Sequence, residues 1–152
     1  MTTMTEQTTQ VYSVFIRATP DQVWDAITKP EFTERYFYGS VIDSTFEPGA
    51  PYLGWSSDRK QQFVDGEVLE SDPPRLLRHT WRALYDEETA AEQPSRVTWE
   101  IEPQDGGVTK LTVVHDQLEA SPKTALGVAG GWMWVLSGLK TLLETGEPLV
   151  SA

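Results

Sequence analysis

The sequence lacks cysteine, has two histidines and carries few basic residues. The absence of cysteine from its 152 residues excludes disulfide bonds, thiolate nucleophiles and cysteine-ligated metal centres. Two histidines without a His-Glu-x-x-His motif offer little to a histidine-ligated metal, so we expect no metal and no other cofactor. Twelve Lys and Arg residues stand against 23 Asp and Glu residues, and the net charge of −11 repels phosphate. We therefore expect no nucleic-acid partner.

Long hydrophobic runs are also missing. No segment approaches the roughly 18 consecutive apolar residues that a membrane span needs, and residues 1–6 lack the basic and apolar regions of a secretory signal. We expect a cytoplasmic protein without a membrane partner. The length and the 39% hydrophobic content suit one domain over residues 10–147, with a disordered tail over 1–9 and a short C-terminal tail over 148–152.

Aromatic residues are abundant, with six Trp, five Tyr and five Phe. Such residues supply large apolar areas, and Trp and Tyr add a polar group at one end. Composition alone favours an ordinary packed core. The alternative is that part of this aromatic surface lines a pocket.

The local patterns predict one strand, two short helices, six further strands and one long helix, in that order. β-branched and aromatic residues over 11–18 predict a strand, and Thr19-Pro20-Asp21-Gln22 predicts a capped helix start. A second brief helix is expected over 31–37. Turn-forming residues separate six further strands, expected close to 41–46, 51–56, 61–71, 75–85, 96–103 and 107–117.

A long helix is predicted over 131–146, where apolar residues recur at helical spacing and Gly146 provides the stop. Successive strands without intervening helices predict an antiparallel sheet with one buried face, which this helix covers.

Several sequence motifs in this order are similar to those of a known superfamily. They are Ala18-Thr19-Pro20-Asp21-Gln22-Val23-Trp24-Asp25-Ala26-Ile27-Thr28, the segment 66–76 from Gly66 to Leu76, Thr80-Trp81, the segment 95–101 with its Gly106-Gly107 turn, and Gly131-Trp132 leading to Leu139-Lys140-Thr141-Leu142-Leu143-Glu144. The chain resembles the SRPBCC, or START-like, superfamily and especially the heat-shock-protein-90 ATPase activator homologues.

The resemblance implies an α+β helix-grip fold. In that fold a seven-stranded antiparallel sheet curls around a long C-terminal helix, two short helices follow the first strand, and a cavity lies between sheet and helix. Members of the superfamily bind lipids, polyketides, hormones and other apolar molecules, and a minority are cyclases or hydrolases. The resemblance therefore implies a cavity rather than one activity.

The period of two along a strand predicts which side chains face that cavity. His79 and Trp81 share the more apolar face of their strand, Trp99 takes the same side of the next, and Val113 and His115 follow on the last. Burial favours the neutral form of each histidine and requires a hydrogen-bond partner. The histidines are either polar anchors for a ligand or core residues satisfied by a backbone carbonyl or a hydroxyl.

Three functions remain open. The first is binding of a small apolar or lipid-like molecule in a cavity lined by Phe37, Trp55, Phe63, His79, Trp81, Trp99, Val113, His115, Trp132, Val135 and Leu139. The second is a cyclase or hydrolase using His79 or His115 as acid or base, with Asp65, Glu67 or Tyr85 nearby. The third is a chaperone ATPase-activating accessory protein in the stress response. We favour the first function because the aromatic residues cluster on the predicted inner face while catalytic motifs are missing.

Other features keep two interpretations each. Gly127, Gly130 and Gly131 form either a flexible entrance to the long helix or a mobile cavity mouth. Trp134 falls off the apolar stripe, so it packs at a rim, against the small helices or in a subunit contact, and both a monomer and a homodimer are open. The acidic run over 86–92 is expected to be a solvated hairpin tip, and the alternative is a docking site for a basic partner.

Overall fold

The computed structural model describes residues 8–150. Their elements are β1 (Gln10–Ile16), α1 (Pro20–Thr28), α2 (Pro30–Tyr36), β2 (Val41–Asp43), β3 (Pro51–Trp55), β4 (Gln62–Asp72), β5 (Leu76–Ala83), α3 (Glu87–Ala90), β6 (Ser95–Pro103), β7 (Thr109–Asp116), α4 (Pro122–Val128) and α5 (Gly131–Thr145). Most of the predicted N-terminal tail and the last two residues of the predicted C-terminal tail lie outside the described residues.

The seven strands form one antiparallel sheet in the order β1-β7-β6-β5-β4-β3-β2. One face of this sheet is buried, and α5 packs over it with an apolar side that includes Trp132, Val135 and Leu139. The two short helices α1 and α2 follow β1. The predicted α+β helix-grip architecture is confirmed, together with the antiparallel pairing and the covering C-terminal helix.

Local sequence signals explain where the helices begin and end. Thr19 caps α1 by accepting from the backbone N–H of Gln22, whose side chain in turn accepts from the N–H of Thr19. Gly146 ends α5 in the left-handed region at φ 80°, which a glycine adopts without the steric penalty of a Cβ atom. The start of α1 and the end of α5 are therefore set by the residues that predicted them, Thr19 and Gly146.

Two short helices, α3 and α4, were not predicted from the sequence. The acidic run joins the antiparallel strands β5 and β6, and most of its acids are exposed, as expected of a solvated hairpin tip. It also contains the unpredicted single turn of α3, which Asp86 caps by accepting from the N–H of Glu88. The carboxylate of Glu92 reaches the start of α4, where it accepts from the backbone N–H groups of Lys123 and Thr124. Glu92 therefore caps a helix distant in sequence, as the dipole of a helix N-terminus favours.

The segment Pro122–Thr145 is long and apolar enough by mean hydropathy to span a membrane. Polar residues interrupt the segment, so it contains no apolar run of the length that a membrane span needs. In the fold the segment is divided into α4 and α5 near Ala129 and Gly130, and the buried side of α5 packs on the sheet. The buried side of α5 accounts for part of this hydrophobicity, while Leu126, Met133 and Trp134 are exposed.

Two strands of the sheet approach each other closely at Gly66. A Cβ atom at Gly66 would lie 2.1 Å from the carbonyl oxygen of Thr80, so no other residue type fits there without a backbone shift. The register between β4 and β5 also shifts between Val68 and Glu70. Such irregularities bend a strand and let the sheet curve around a helix.

Candidate functional site

An apolar pocket of about 330 Å³ lies between the start of α5, the α4 helix and the inner face of the sheet. The residues after α2 close one side. Aromatic residues form half of the wall. The lining residues are Phe37, Tyr38, Ser40, Phe63, Val64, Trp81, Tyr85, Gly127, Val128, Gly131, Trp132 and Val135.

Five residues of the predicted lining meet at this pocket: Phe37, Phe63, Trp81, Trp132 and Val135. Five others, namely His79, Trp99, Val113, His115 and Leu139, are buried in the layer behind the wall and belong to the core. The structure does not bring Trp55 to the pocket. Trp55 is half-buried on β3, where Tyr52 and Gly54 are the buried residues.

The wall contains a tight group of rings. Phe37 stacks on Trp81 with their centroids 6.2 Å apart, and both contact the indole of Trp132. Trp132 meets Trp99 edge to face at 5.5 Å. Aromatic pairs in these geometries gain stability beyond their area of burial, so the ring contacts stabilise the wall.

His79 is fully buried behind this wall on β5. Its Nε2 accepts a hydrogen bond of 3.0 Å from the indole Nε1–H of Trp99. Because an indole nitrogen donates and never accepts, the proton of His79 is on Nδ1, which donates to the carbonyl oxygen of Thr80 at 2.9 Å. The imidazole also stacks on Tyr52 with their centroids 3.7 Å apart. Both ring nitrogens are therefore occupied.

His115 on β7 has an equivalent arrangement with the opposite tautomer. Its Nδ1 accepts from the Nε1–H of Trp132 at 3.0 Å, so its proton is on Nε2. Nε2 donates to the hydroxyl of Ser95 at 2.6 Å, and that hydroxyl donates to the carbonyl oxygen of Trp81. Each histidine thus binds one tryptophan and one further partner.

Burial dominates the protonation of both histidines. It lowers the pKa of His79 from about 6.5 to about 4. Burial, together with the neighbouring His79, lowers the pKa of His115 to about 3. Both imidazoles are neutral near pH 7, and neither has a free nitrogen lone pair for proton transfer. Their geometry is that of structural residues that hold two tryptophans in place.

The acids expected beside these histidines lie elsewhere. Asp65 forms a paired hydrogen bond with the guanidinium of Arg82, at 2.9 and 2.6 Å, and Glu67 is exposed. The expectation that they lie near a cavity histidine is wrong, because β4 directs them away from the buried face. Tyr85 lies beyond the end of β5 and is half-exposed at the pocket.

Tyr38 and Tyr85 form the mouth of the pocket, being 60% and 51% exposed. Across from them stand Gly127 and Gly131, and a Cβ atom at either glycine would lie 3.7 or 3.6 Å from the facing tyrosine hydroxyl. Gly130 does not line the pocket. The glycine segment is thus part of the mouth, and two of its three glycines face the opening.

The junction of α4 and α5 beside this mouth is held by β1. The Tyr12 hydroxyl donates to the carbonyl oxygen of Ala129 at 2.6 Å, and the side-chain amide of Gln10 donates to that of Ala125 at 2.9 Å. These bonds satisfy carbonyl groups that the interruption of the helix leaves free. They fix the helical side of the opening relative to the sheet.

Sequence reasoning missed several lining residues: Tyr38, Ser40, Val64 and Val128. Tyr38 and Ser40 follow α2 in an irregular segment, and Tyr38 has a φ of 53°, so no periodic pattern describes them. Val64 and Val128 resemble any other core valine. Tyr85 was expected only as a possible partner of a catalytic histidine, and a cavity mouth was one of two interpretations of the glycines.

One polar atom in the wall has no partner. The indole Nε1 of Trp81 is buried and forms no hydrogen bond within residues 8–150. A buried donor without a partner is uncommon in folded proteins. Across the same residues, no group of three or more His, Asp or Glu side chains is arranged to hold a metal ion. The polar atoms that the side chains of the lining supply are therefore the hydroxyls of Tyr38, Ser40 and Tyr85 and the indole nitrogens of the tryptophans.

A curved antiparallel sheet gripping a C-terminal helix, with an apolar pocket between them, defines a helix-grip protein. Residues 17–144 match the family model described as Activator of Hsp90 ATPase homolog 1-like protein. The chain belongs to this family. No curated protein matches the sequence.

Solved structures share the fold at low sequence identity. CalU16 from Micromonospora echinospora is 22% identical with a TM-score of 0.69, over 91% of this chain and 77% of that one. The Aha1 dimer from Colwellia psychrerythraea is 15% identical with a TM-score of 0.71, over 92% and 98% of the chains. PFC0360w, an HSP90 activator from Plasmodium falciparum, is 19% identical with a TM-score of 0.70, over 93% and 99%.

Proposed function

We propose that this protein binds a small, mainly apolar molecule in the pocket between the sheet and α5. The observation that carries the proposal is an aromatic pocket of about 330 Å³ whose wall contains no charged side chain among the described residues. Small-molecule sites are concave and mostly apolar, with a few polar groups, and commonly enclose roughly 300–1,000 Å³. This pocket lies at the lower end of that range and suits a compact ligand.

The hydrogen bonds behind the wall support this proposal over catalysis. They hold Trp132, part of the wall, and Trp99 behind it, while they occupy every ring nitrogen of His79 and His115. Acid or base catalysis needs a titratable group within reach of a substrate proton. The histidines instead supply rigidity, which lowers the entropic cost of binding.

Native mass spectrometry of protein purified from its source organism tests the proposal. We expect a reproducible small-molecule adduct, absent from the denatured mass. A matched pair of variants on β4 connects the adduct to the pocket. Phe63→Glu places a carboxylate in the apolar wall, while Leu69→Glu adds the same charge at an exposed position. We expect loss of the adduct in the Phe63 variant and its retention in the Leu69 variant.

Two outcomes would contradict pocket binding. The first is an adduct that persists in a folded Phe63→Glu variant. The second is a clean apo mass combined with no thermal shift across a panel of lipids and polycyclic aromatic compounds.

A second proposal is an accessory role for a chaperone ATPase, in the cytoplasm and in the stress response. It is supported by membership of the Hsp90 activator-like family and by structural similarity to a protein titled as an HSP90 activator. The Aha1 neighbour is titled as a dimer, which supports testing a homodimer as well. Addition of the protein to Hsp90 from the same organism should raise the ATPase rate if this role holds, and an unchanged rate without complex formation contradicts it.

A further inference from the structure

The pocket has an apolar interior and a polar mouth. Phe37, Trp81 and Trp132 form the aromatic interior, and the mouth carries the hydroxyls of Tyr38 and Tyr85. Each hydroxyl reaches across the opening to a glycine of the α4–α5 segment. A molecule lying in the pocket would thus meet mainly rings along its body and two phenols at its outer end, with the Ser40 hydroxyl and the Trp81 Nε1 as further polar atoms of the wall.

Both mouth phenols are available to a ligand. Burial raises the pKa of Tyr38 and of Tyr85, and Asp86 adds to the effect on Tyr85, so both phenols stay protonated at neutral pH. Over residues 8–150, the tyrosine hydroxyls that bond to protein groups are those of Tyr12 and Tyr36. The hydroxyls of Tyr38 and Tyr85 can therefore both donate to and accept from an oxygen atom in the opening.

An anionic group would find no counterion here. The lining includes no Lys, Arg or His side chain among the described residues, and the net charge of the chain is −11. A carboxylate at this half-exposed mouth would keep part of its hydration, but it would gain no counterion and would be repelled by the net negative charge of the chain. A neutral hydroxyl or carbonyl avoids this cost and matches the hydrogen-bonding capacity of the two phenols.

We propose that the ligands of this pocket are neutral molecules with a compact aromatic body and a hydrogen-bonding oxygen at one end. The body lies against Phe37, Trp81 and Trp132, and the oxygen is bound between Tyr38 and Tyr85. This inference rests on the proposed function and narrows it, because fatty acids and other anionic lipids are disfavoured. Tyr38 and Tyr85 become the residues that select the polar end.

Three probes that share a biphenyl body and differ in the polar group at one end test the selection for neutral ligands. The compounds are 4-phenylphenol, biphenyl and biphenyl-4-carboxylate, with 1-dodecanol and dodecanoate as linear counterparts. Titrations of the full chain at pH 7.5 follow tryptophan fluorescence, since Trp81 and Trp132 line the site. We expect 4-phenylphenol to bind about tenfold more tightly than biphenyl-4-carboxylate, and more tightly than either linear compound.

Removal of the two hydroxyls tests the role of the mouth. The double variant Tyr38→Phe with Tyr85→Phe keeps both rings at the opening. We expect its affinity for 4-phenylphenol to fall to that for biphenyl, while its affinity for biphenyl stays unchanged. Met133→Ala, at an exposed position of α5 outside the pocket, is the control that should bind all five compounds as the parent does.

The outcomes separate this inference from the function on which it rests. If biphenyl-4-carboxylate or dodecanoate binds as tightly as 4-phenylphenol, the selection for neutral ligands is wrong, although a binding pocket stands. The same holds if the preference for the phenol survives in the double variant. If none of the five compounds binds and native mass spectrometry finds no adduct, pocket binding itself is wrong and the inference fails with it.

Discussion

The indole Nε1–H of Trp132 donates a 3.0 Å hydrogen bond to Nδ1 of His115, joining the first turn of α5 to β7. The bond between Trp99 and His79 joins β6 to β5 in the same way. In both pairs a neutral imidazole accepts from an indole and uses its own N–H on another partner. The two histidines therefore orient tryptophans in and behind the pocket wall, and their neutrality is a condition of the native structure.

The stability of the protein should fall as the pH is lowered from 6.5. In the unfolded chain a histidine takes up a proton near pH 6.5, whereas in the folded protein His79 and His115 remain neutral down to about pH 4 and about pH 3. Between pH 6.5 and the lowered pKa of each histidine, the unfolded state binds more protons than the folded state. The unfolding free energy therefore decreases toward lower pH. The slope for each histidine approaches about 1.4 kcal/mol per pH unit.

Urea denaturation at pH 7.5, 6.5, 5.5 and 5.0 measures this slope above the range in which most carboxylates titrate. The NMR signals of the two imidazoles supply an independent reading. We expect neither histidine to titrate in the folded protein above pH 5. A native imidazole that takes up a proton near pH 6.5 would show that the buried hydrogen bonds do not hold it neutral.

Replacement of two tryptophans by phenylalanine should give unequal effects. Trp99→Phe leaves the Nε2 of His79 without its donor, whereas Trp81→Phe removes an indole N–H that has no partner within residues 8–150. Both rings are buried, so the two variants lose comparable packing. We expect Trp99→Phe to lower the unfolding free energy by about 1–3 kcal/mol more than Trp81→Phe does. Urea denaturation of both variants at pH 7.5 decides this, and equal losses contradict it.

Gly127→Ala should stabilise the protein while weakening ligand binding. Gly127 is in the last turn of α4, where alanine favours the helix by about 0.5–1 kcal/mol, and the added methyl group fits in contact with the Tyr85 hydroxyl. The same methyl group narrows the mouth, so we expect the affinity for 4-phenylphenol to fall by about three- to tenfold. Thermal unfolding and fluorescence titration measure the two effects.

Gly130→Ala is the matched control for the binding effect. It adds a methyl group three residues away, at a glycine that does not line the pocket and whose surroundings are open. We expect the binding of 4-phenylphenol to be unchanged in this variant. Unchanged binding in Gly127→Ala as well would mean that Gly127 does not limit the space available to a ligand.

The inner face of the sheet could be predicted from the sequence, but the division of that face into pocket and core could not. Alternation along β5 and β6 correctly directs His79, Trp81 and Trp99 inward, because strand periodicity is a local property. Only Trp81 of these three reaches the pocket. Which inward residue borders empty space depends on the curvature of the sheet and on the position of α5, and both arise from contacts distant in sequence.

The mouth was harder to predict for a different reason. Tyr38 follows α2 at a positive φ, and Tyr85 follows the end of β5, so neither side-chain direction is set by a repeating pattern. Trp55 was expected in the lining, whereas Tyr52 and Gly54 take the buried positions of β3. Glu92 caps α4 by bonding residues that lie 31 and 32 positions later in the sequence. The local run of acidic residues predicts only solvent exposure and gives no sign of this contact.

The close approach of β4 and β5 at Gly66 can be tested by substitution. A Cβ atom there would be 2.1 Å from the oxygen and 2.8 Å from the carbon of the Thr80 carbonyl group, and the backbone of β5 cannot move aside without loss of its pairing with β4. At Gly54 on β3 the nearest atoms would be side-chain carbons of Ile42 and Val64, both 3.4 Å away. We expect Gly66→Ala to lower the unfolding free energy by about 3 kcal/mol or more, or to prevent folding, and Gly54→Ala to change it by about 1 kcal/mol or less. Soluble yield and thermal unfolding of both variants check this, and a Gly66→Ala variant as stable as the parent would show that β4 and β5 can separate here without disturbing the sheet.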